Sequence, residues 1–354
     1  MIILLHLDAG PSERDGVRAA LERLEVGFDE VQLVDRTAFA LRGEESPLPG
    51  ESLSRLAGVE RIISLQTKTP LAGSTMREGG RQVQVGTACF GGGVFGLIAG
   101  PCTIEDPEML RRVARTVKSA GAHALRGGAF KVRTSPHAFQ GGGLEAFHAL
   151  VDTAHEVEMP FFTELTDPRQ VEQVGELIDG VQIGARHMQN FPLLLEAARL
   201  GKPILLKRHF GATAEEWLLS AEYILGAGND QVMLCERGVR TAEKHVRFML
   251  DLAVVPWLKS RTGLPVIVDP SHAAGHHALV PALGRAAIAA GADGLIVEVH
   301  PEPEATRCDA AQALPPQQLA DLVSFARLVV EADGRRMSDL PERDIQPFDT
   351  AVGL

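Results

Sequence analysis

Eight short apolar runs, each followed by a longer stretch with helical spacing, constrain the fold of this chain more than any other feature. The runs are FGLIAGPC (95–102), AHALRGG (122–128), PFFTEL (160–165), GVQIGA (180–185), PILLKR (203–208), QVMLCERG (231–238), PVIVDPS (265–271) and GLIVEV (294–299). Near-continuous apolar runs of this length suit strands buried on both faces, as in a parallel sheet. Stretches such as DPEMLRRVARTVKSAG, GLEAFHALVDTAHEV and TAEEWLLSAEYIL lie between them and carry apolar residues at helical spacing. Eight βα units in roughly 240 residues fit a closed (β/α)8 TIM barrel, an α/β fold. An open doubly wound sheet is the alternative, but no GxGxxG follows the first run.

The segments before the barrel have a different pattern. Residues 1–66 alternate as strand, helix, two strands, helix and strand, with Val17, Leu21 and Leu24 on one helical face. That order predicts a small α+β ferredoxin-like domain. Residues 67–80, TKTPLAGSTMREGG, have the composition of a linker, and RQVQVG with the glycines after it predicts a hairpin leading into a barrel domain over 81–333. Residues 334–354 carry turn residues and little periodicity, and are expected to form a C-terminal tail.

A formal net charge of −11 works against nucleic acid and anionic membranes as partners. No apolar run reaches the roughly 20 residues of a membrane span, and the first residues lack the basic start of a signal peptide. The expected location is the cytoplasm. Cys89, Cys102, Cys235 and Cys308 are widely spaced and form no CxxC, so any working cysteine acts as a single thiolate.

In a barrel of this kind the site is built at the C-terminal ends of the strands. There the sequence places Cys102, Arg126, Arg186, Lys207, Arg237 and His272, with Glu298 in the last strand. Alternation along GLIVEV puts Leu295, Val297 and Val299 on the helix side and Ile296 and Glu298 inside. A buried carboxylate needs a cation. Barrel closure brings the last strand beside the first, so Glu298, His272 and Cys102 are expected to converge, with Asp309 reaching in from the following loop and Cys308 as a competing ligand. One thiolate, one imidazole and two carboxylates predict a divalent metal ion of the Mn, Fe, Co or Zn kind. Arg126, Lys131, Arg133, Arg186, Lys207 and Arg237 crowd the same mouth. Their mutual repulsion predicts anionic substrates, two small phosphorylated molecules.

Seven stretches in register, IAGPCTIE, LRGGAFKVRTSP, QIGARHMQN, LLKRHF, CERGVRT, VDPSHAAGHH and VEVHPEPE, carry a family resemblance. The chain resembles 3-deoxy-D-arabino-heptulosonate 7-phosphate (DAHP) synthases of the short type related to 3-deoxy-D-manno-octulosonate 8-phosphate (KDO8P) synthases. The resemblance implies an aldol-type condensation of phosphoenolpyruvate with erythrose 4-phosphate, with release of phosphate, at the first step of the shikimate pathway. It implies Cys102, His272, Glu298 and Asp309 as metal ligands, and Arg126, Lys131, Arg186, Lys207 and Arg237 as phosphoenolpyruvate contacts. Arg133, Thr134 and Ser135 would hold the aldose phosphate, and Lys131 would serve as proton donor or as a purely electrostatic group.

The octulosonate branch usually reads KANRTS where this chain runs from Lys131 through Val132 to Arg133, and the shorter spacing favours the four-carbon aldehyde. Cys102 favours the metal-dependent form, because the metal-free relatives carry asparagine there. Val132 stands in place of a usual proline, His187 of an asparagine and His209 of a glycine, which leaves room for another acceptor. The N-terminal unit resembles domains that bind phenylalanine or tyrosine and close over the barrel mouth, and family members of this type are generally homotetramers. A reading of another class is a catalytically silent barrel that senses aromatic amino acids or serves a partner enzyme.

Overall fold

The computed structural model describes residues 1–33, 36–42, 50–63, 67–74, 80–132, 135, 137–306 and 310–340. The N-terminal unit is built from β1 (Ile2–Leu5), α1 (Pro11–Arg23), β2 (Phe28–Gln32), β3 (Thr37–Leu41), α2 (Gly50–Ser54) and β4 (Val59–Ile63). Its strands order as β2-β3-β1-β4, with every neighbouring pair antiparallel. This is the ferredoxin-like arrangement read from the strand and helix order. Alternation on β1 sends Ile3 and Leu5 towards Val17 and Leu21 of α1 and Phe39 of β3, which close a small core. Leu24, expected on that face, caps the end of α1 and is partly exposed.

The stretch expected as a linker contains a short helix, α3 (Pro70–Ser74), which packs on the barrel. Ala72 is fully buried in the barrel's outer core, and its carbonyl accepts the Thr262 hydroxyl at 2.9 Å. The Glu222 carboxylate accepts the N–H groups of Leu71 and Ala72 at 3.2 and 2.6 Å. Arg61 of β4 faces Asp230 at 4.0 Å. Because Asp230 and Thr262 precede barrel strands, the N-terminal unit meets its own barrel at the end opposite the mouth.

A hairpin, β5 (Gln82–Val85) and β6 (Ala88–Gly91), introduces the barrel. The eight barrel strands are β7 (Val94–Gly100), β8 (Ala124–Arg126), β9 (Phe161–Leu165), β10 (Gly180–Ile183), β11 (Ile204–Lys207), β12 (Val232–Glu236), β13 (Val266–Val268) and β14 (Gly294–Glu298). Each pairs in parallel with the next, and β14 returns to β7 with Glu298 opposite Gly100. All eight runs read from the sequence are therefore strands, and the barrel closes.

Between the strands run α4 (Pro107–Ser119), α5 (Gly143–Glu156), α6 (Pro168–Val174), α7 (Phe191–Arg199), α8 (Ala214–Gly226), α9 (Val254–Lys259), α10 (Pro270–Ala274) and α11 (Val280–Ala289), with α12 (Pro316–Ala332) after β14. Their starts carry local signals. Asp106 and Asp167 accept backbone N–H groups ahead of a proline at the first helical position, and Thr213 with Glu216 forms a capping box. Period-2 alternation divides the barrel's apolar residues into two layers. Ile98, Ala124, Phe162, Leu205, Met233, Ile267 and Ile296 fill the interior above Val83, Val85 and Phe90 of the hairpin. Their neighbours along each strand pack against the helices. The hairpin plugs the strand N-terminal end, so only the opposite end is open.

The first residues of the expected C-terminal tail bind the barrel: β15 (Arg336–Met337) pairs with β7, and the Ser338 hydroxyl accepts the Cys89 N–H at 2.8 Å. Residues 341–354 lie outside the described residues. No helix among the described residues is long and apolar enough to cross a membrane.

Candidate active site

Glu298 ends β14 with its side chain inside the barrel, as alternation predicts: Ile296 belongs to the interior layer and Leu295, Val297 and Val299 to the helix layer. Its Oε1 lies 3.0 Å from His272 Nε2 and 3.8 Å from Arg126 Nη1. Cys102 Sγ is 3.9 Å from the same His272 nitrogen. One ligand atom from each of Cys102, His272 and Glu298 falls within 4.8 Å of the others, and all three residues are buried. Sulfur, imidazole and carboxylate at such separations fit a single divalent transition metal, whose bonds to these donors run about 2.0 to 2.3 Å. Asp309, expected as the fourth ligand, and its rival Cys308 lie outside the described residues.

The histidine is set by its helix. Asp269 precedes Pro270, accepts the His272 N–H at 3.0 Å and starts α10, a single turn that ends at Gly275. Gly275 has φ +71°, and a Cβ there would lie 2.6 Å from the Arg247 Cβ, so only glycine suits the position. Asp269 also brings Oδ2 within 2.8 Å of His272 Nδ1, a charge contact rather than a well-aligned hydrogen bond, and Nε2 is left facing the ligand cluster. Burial alone would strip the imidazole of a proton; the carboxylates of Asp269 and Glu298 outweigh it and raise the His272 pKa to about 9. Burial likewise opposes the Glu298 charge, but His272, Arg126 and Lys131 hold its pKa far below the usual carboxylate range.

Cys102 differs from the other described cysteines. Cys89 and Cys235 are buried, and burial pushes both thiols up. Lys131 Nζ stands 2.8 Å from Cys102 Sγ, a cation placed to favour the thiolate that a metal requires.

Beside the cluster opens a cleft of about 410 Å³ lined by Lys131, Glu164, Arg186, Lys207, Arg237 and His272. Lys207 ends β11 and bonds Asp269 Oδ2 at 2.6 Å. Arg126 Nη1 and Arg237 Nη1 are buried and have no hydrogen-bond partner among the described residues. Buried guanidinium nitrogens without partners are costly unless a ligand supplies the acceptor. Burial lowers the Arg237 pKa from its ordinary value against the pull of Asp269, whereas Arg126, for all its burial, is raised by Glu298, Cys102, Asp269 and Glu164. Donors of this kind suit a phosphate or a carboxylate.

The cleft gathers Lys131, Arg186, Lys207 and Arg237, while Arg126 is buried beside Glu298 of the neighbouring cluster. Ser135 is exposed on the loop after β8, its hydroxyl accepting the His137 N–H at 3.3 Å. Arg133 and Thr134 lie outside the described residues. His187 is half-buried, its Nδ1 3.3 Å from Asn190 Nδ2, and the His209 ring lies tilted against Phe210 with centroids 4.1 Å apart. Burial lowers both imidazole pKa values, and the positive charge of Arg186 adds to the effect.

Two residues of consequence are not legible in the strand-end pattern. Asp269 could have been found from its place before a proline, the mark of a helix start. Gln312 carries no such signal: it is buried in the loop after β14, donates to Glu298 Oε1 at 2.9 Å and accepts from Arg247 Nη1 at 2.9 Å.

Residues 78–334 match the model of the DAHP synthetase I family. A phospho-2-dehydro-3-deoxyheptonate aldolase of Thermotoga maritima is 40% identical over 304 residues, covering 86% of this chain and 90% of that protein. A 2-dehydro-3-deoxyphosphooctonate aldolase of Syntrophotalea carbinolica is 33% identical over 257 residues, covering 67% of this chain and 91% of that protein. The crystal structure of a Thermotoga maritima DAHP synthase superposes with a TM-score of 0.74 at 38% identity, covering 95% of this chain and 98% of that one.

Proposed function

The chain belongs to the DAHP synthetase I family and is an enzyme, a transferase of the 3-deoxy-7-phosphoheptulonate synthase type, and from that premise we propose how its cleft carries out the reaction. It condenses phosphoenolpyruvate with erythrose 4-phosphate, and requires a divalent metal to do so. The observation that carries this reading is the cleft's cationic lining, together with the buried Arg126 Nη1 and Arg237 Nη1, which have no hydrogen-bond partner among the described residues.

Arg126, Lys131, Arg186, Lys207 and Arg237 hold the phosphate and carboxylate of phosphoenolpyruvate. Arginine does so through its planar fork and lysine as a point charge. Fixing the enol phosphate at both ends leaves carbon 3 as the free nucleophilic end. Arg133, Thr134 and Ser135 hold the phosphate of the aldose and bring its aldehyde to that carbon. Cys102, His272, Glu298 and Asp309 hold a divalent ion, Mn, Fe, Co or Zn, which when bound supplies Lewis acidity towards the aldehyde oxygen. Lys131, beside the Cys102 sulfur, is placed to give a proton to the oxygen that becomes an alkoxide. Water added at carbon 2 completes the hemiketal phosphate, which loses inorganic phosphate.

The N-terminal domain, residues 1–66, is proposed to bind phenylalanine or tyrosine. It sits at the closed end of its own barrel, so closure over a mouth calls for the domain of another copy, in keeping with a homotetramer. The enzyme is proposed to work in the cytoplasm.

Phosphate release from four- and five-carbon aldose phosphates, with and without a chelator, tests the reading. Turnover that needs both phosphoenolpyruvate and erythrose 4-phosphate and stops on chelation supports it. Arabinose 5-phosphate as the better acceptor would move the enzyme to the octulosonate branch. No release with any aldose would favour a silent sensor.

A further inference from the structure

Arg208 and Arg237 are both buried at the ends of neighbouring strands, and their charges are balanced in opposite ways. Arg208 faces outward and meets Glu236 at 3.0 Å and Asp251 at 2.9 Å, while its Nε bonds the Ala212 carbonyl at 3.1 Å. Its charge and donors are thereby satisfied within the protein. Arg237 faces the cleft, and its guanidinium carbon lies 4.3 Å from the centre of the Phe248 ring. A ring face attracts a cation without accepting its N–H donors. A carboxylate in that place would fill those donors and compete with an incoming anion.

The ring is held from several sides. Phe248 stacks on Phe210 at 5.1 Å and 21°, and Arg240 covers the Phe210 ring at 4.6 Å. The Arg240 N–H donates to the Phe210 carbonyl at 2.7 Å, and Val239 and Met249 exchange backbone bonds at 2.9 Å. The Phe248 N–H donates at 2.9 Å to Ala273, the residue after His272. Gly238, next to Arg237, has φ +93°, and a Cβ there would stand 2.6 Å from the Phe248 Cβ. Glycine lets the chain turn so that Arg237 and the ring meet.

We propose that Phe248 is a positioning residue, whose ring aims the Arg237 guanidinium into the cleft and keeps its donors free for the anion. This rests on the reading of the cleft as the phosphoenolpyruvate site. Phe248 then shapes affinity for that substrate without touching it, through Arg237.

Phosphoenolpyruvate titrated into the metal-loaded full chain, without aldose, tests the proposal alongside steady-state kinetics. Phe248→Leu is expected to raise Kd and KM for phosphoenolpyruvate about tenfold, the scale of a desolvated cation–π contact. Its kcat and its KM for the aldose phosphate should stay within about twofold, and Phe248→Tyr should recover wild-type affinity. Pentafluorophenylalanine at position 248 keeps the shape of the ring and inverts the charge of its face. It should weaken phosphoenolpyruvate binding several-fold with the fold intact, so the question is answered even where the leucine variant misfolds. An unchanged Kd in the fluorinated protein, or equal losses for both substrates in the variants, would overturn the role of the ring alone. Wild-type protein that binds no phosphoenolpyruvate would overturn the site assignment and this proposal with it.

Discussion

Asp269 Oδ2 lies 2.6 Å from Lys207 Nζ and, on its other side, 2.8 Å from the imidazole of His272. A single buried oxygen thus joins the cationic cleft to the proposed metal cluster. Burial opposes its charge, but His272, Lys207 and Arg126 hold the Asp269 pKa well below the usual carboxylate range. Asp269→Asn keeps the shape and removes the charge, leaving two buried cations without their shared partner. The expected result is a loss of about 3 to 5 kcal/mol in stability and a fall of about 10 to 100-fold in metal affinity. Urea unfolding and metal titration of the same variant measure both; wild-type values in each would show that Asp269 only starts its helix.

Cys102→Ala and His272→Ala should abolish metal-dependent turnover while leaving the circular dichroism spectrum in place. The sulfur has an independent readout. Cobalt bound to wild type should give a thiolate charge-transfer band near the ultraviolet, and Cys102→Ala should lack it. Full turnover in either variant would remove the metal assignment.

Gln312 orients Glu298 through one hydrogen bond and is itself held by Arg247. Gln312→Ala is expected to weaken metal binding by about 10-fold or more, the usual cost of removing a partner of a ligand. Competition with a chromophoric chelator reads the affinity directly. No change would mean that His272 and Arg126 suffice to hold the carboxylate.

His123 is buried; its Nδ1 accepts the Leu97 N–H at 2.9 Å and its ring donates to the Ser338 carbonyl. Burial, with Arg327 nearby, lowers its pKa to about 4 from an ordinary value of 6.5. The unfolded chain therefore takes up a proton between those values that the folded chain refuses. The contribution to stability is complete above pH 6.5, falls as the pH drops towards 4 and levels off below, by roughly 3 kcal/mol in all. His123→Gln should flatten that part of the profile in urea melts at pH 7 and pH 4.5; parallel profiles for the two proteins would refute the assignment.

Glu222 fastens α3 to the barrel through the N–H groups of Leu71 and Ala72. Glu222→Ala should cost about 1 kcal/mol locally and speed protease cleavage within residues 67–80, with the barrel left whole. Cleavage at the wild-type rate would show that the burial of Ala72 holds the segment unaided.

The barrel was legible in the sequence because its signal is local and repeated. A strand buried on both faces must be apolar along its length, and eight such runs with helical stretches between them leave few ways to close. The inward direction of Glu298 followed from alternation alone, and the meeting of Cys102, His272 and Glu298 from their places at strand ends. The helix within the expected linker, Pro70–Ser74, was not legible because a five-residue helix held by a distant carboxylate has no periodicity of its own to read.

Sequence by itself determined which elements form, the order in which they wind, and which chemical groups stand at the open end. Only the tertiary structure decided the pairings at the open end of the barrel: Gln312 on Glu298, Phe248 against Arg237, and Lys207 on the Asp269 that starts the helix of His272. The physical reason is range. Periodicity and helix starts act over a few residues, whereas the partner that balances a buried charge is chosen by how the chain folds back on itself, which no local pattern records.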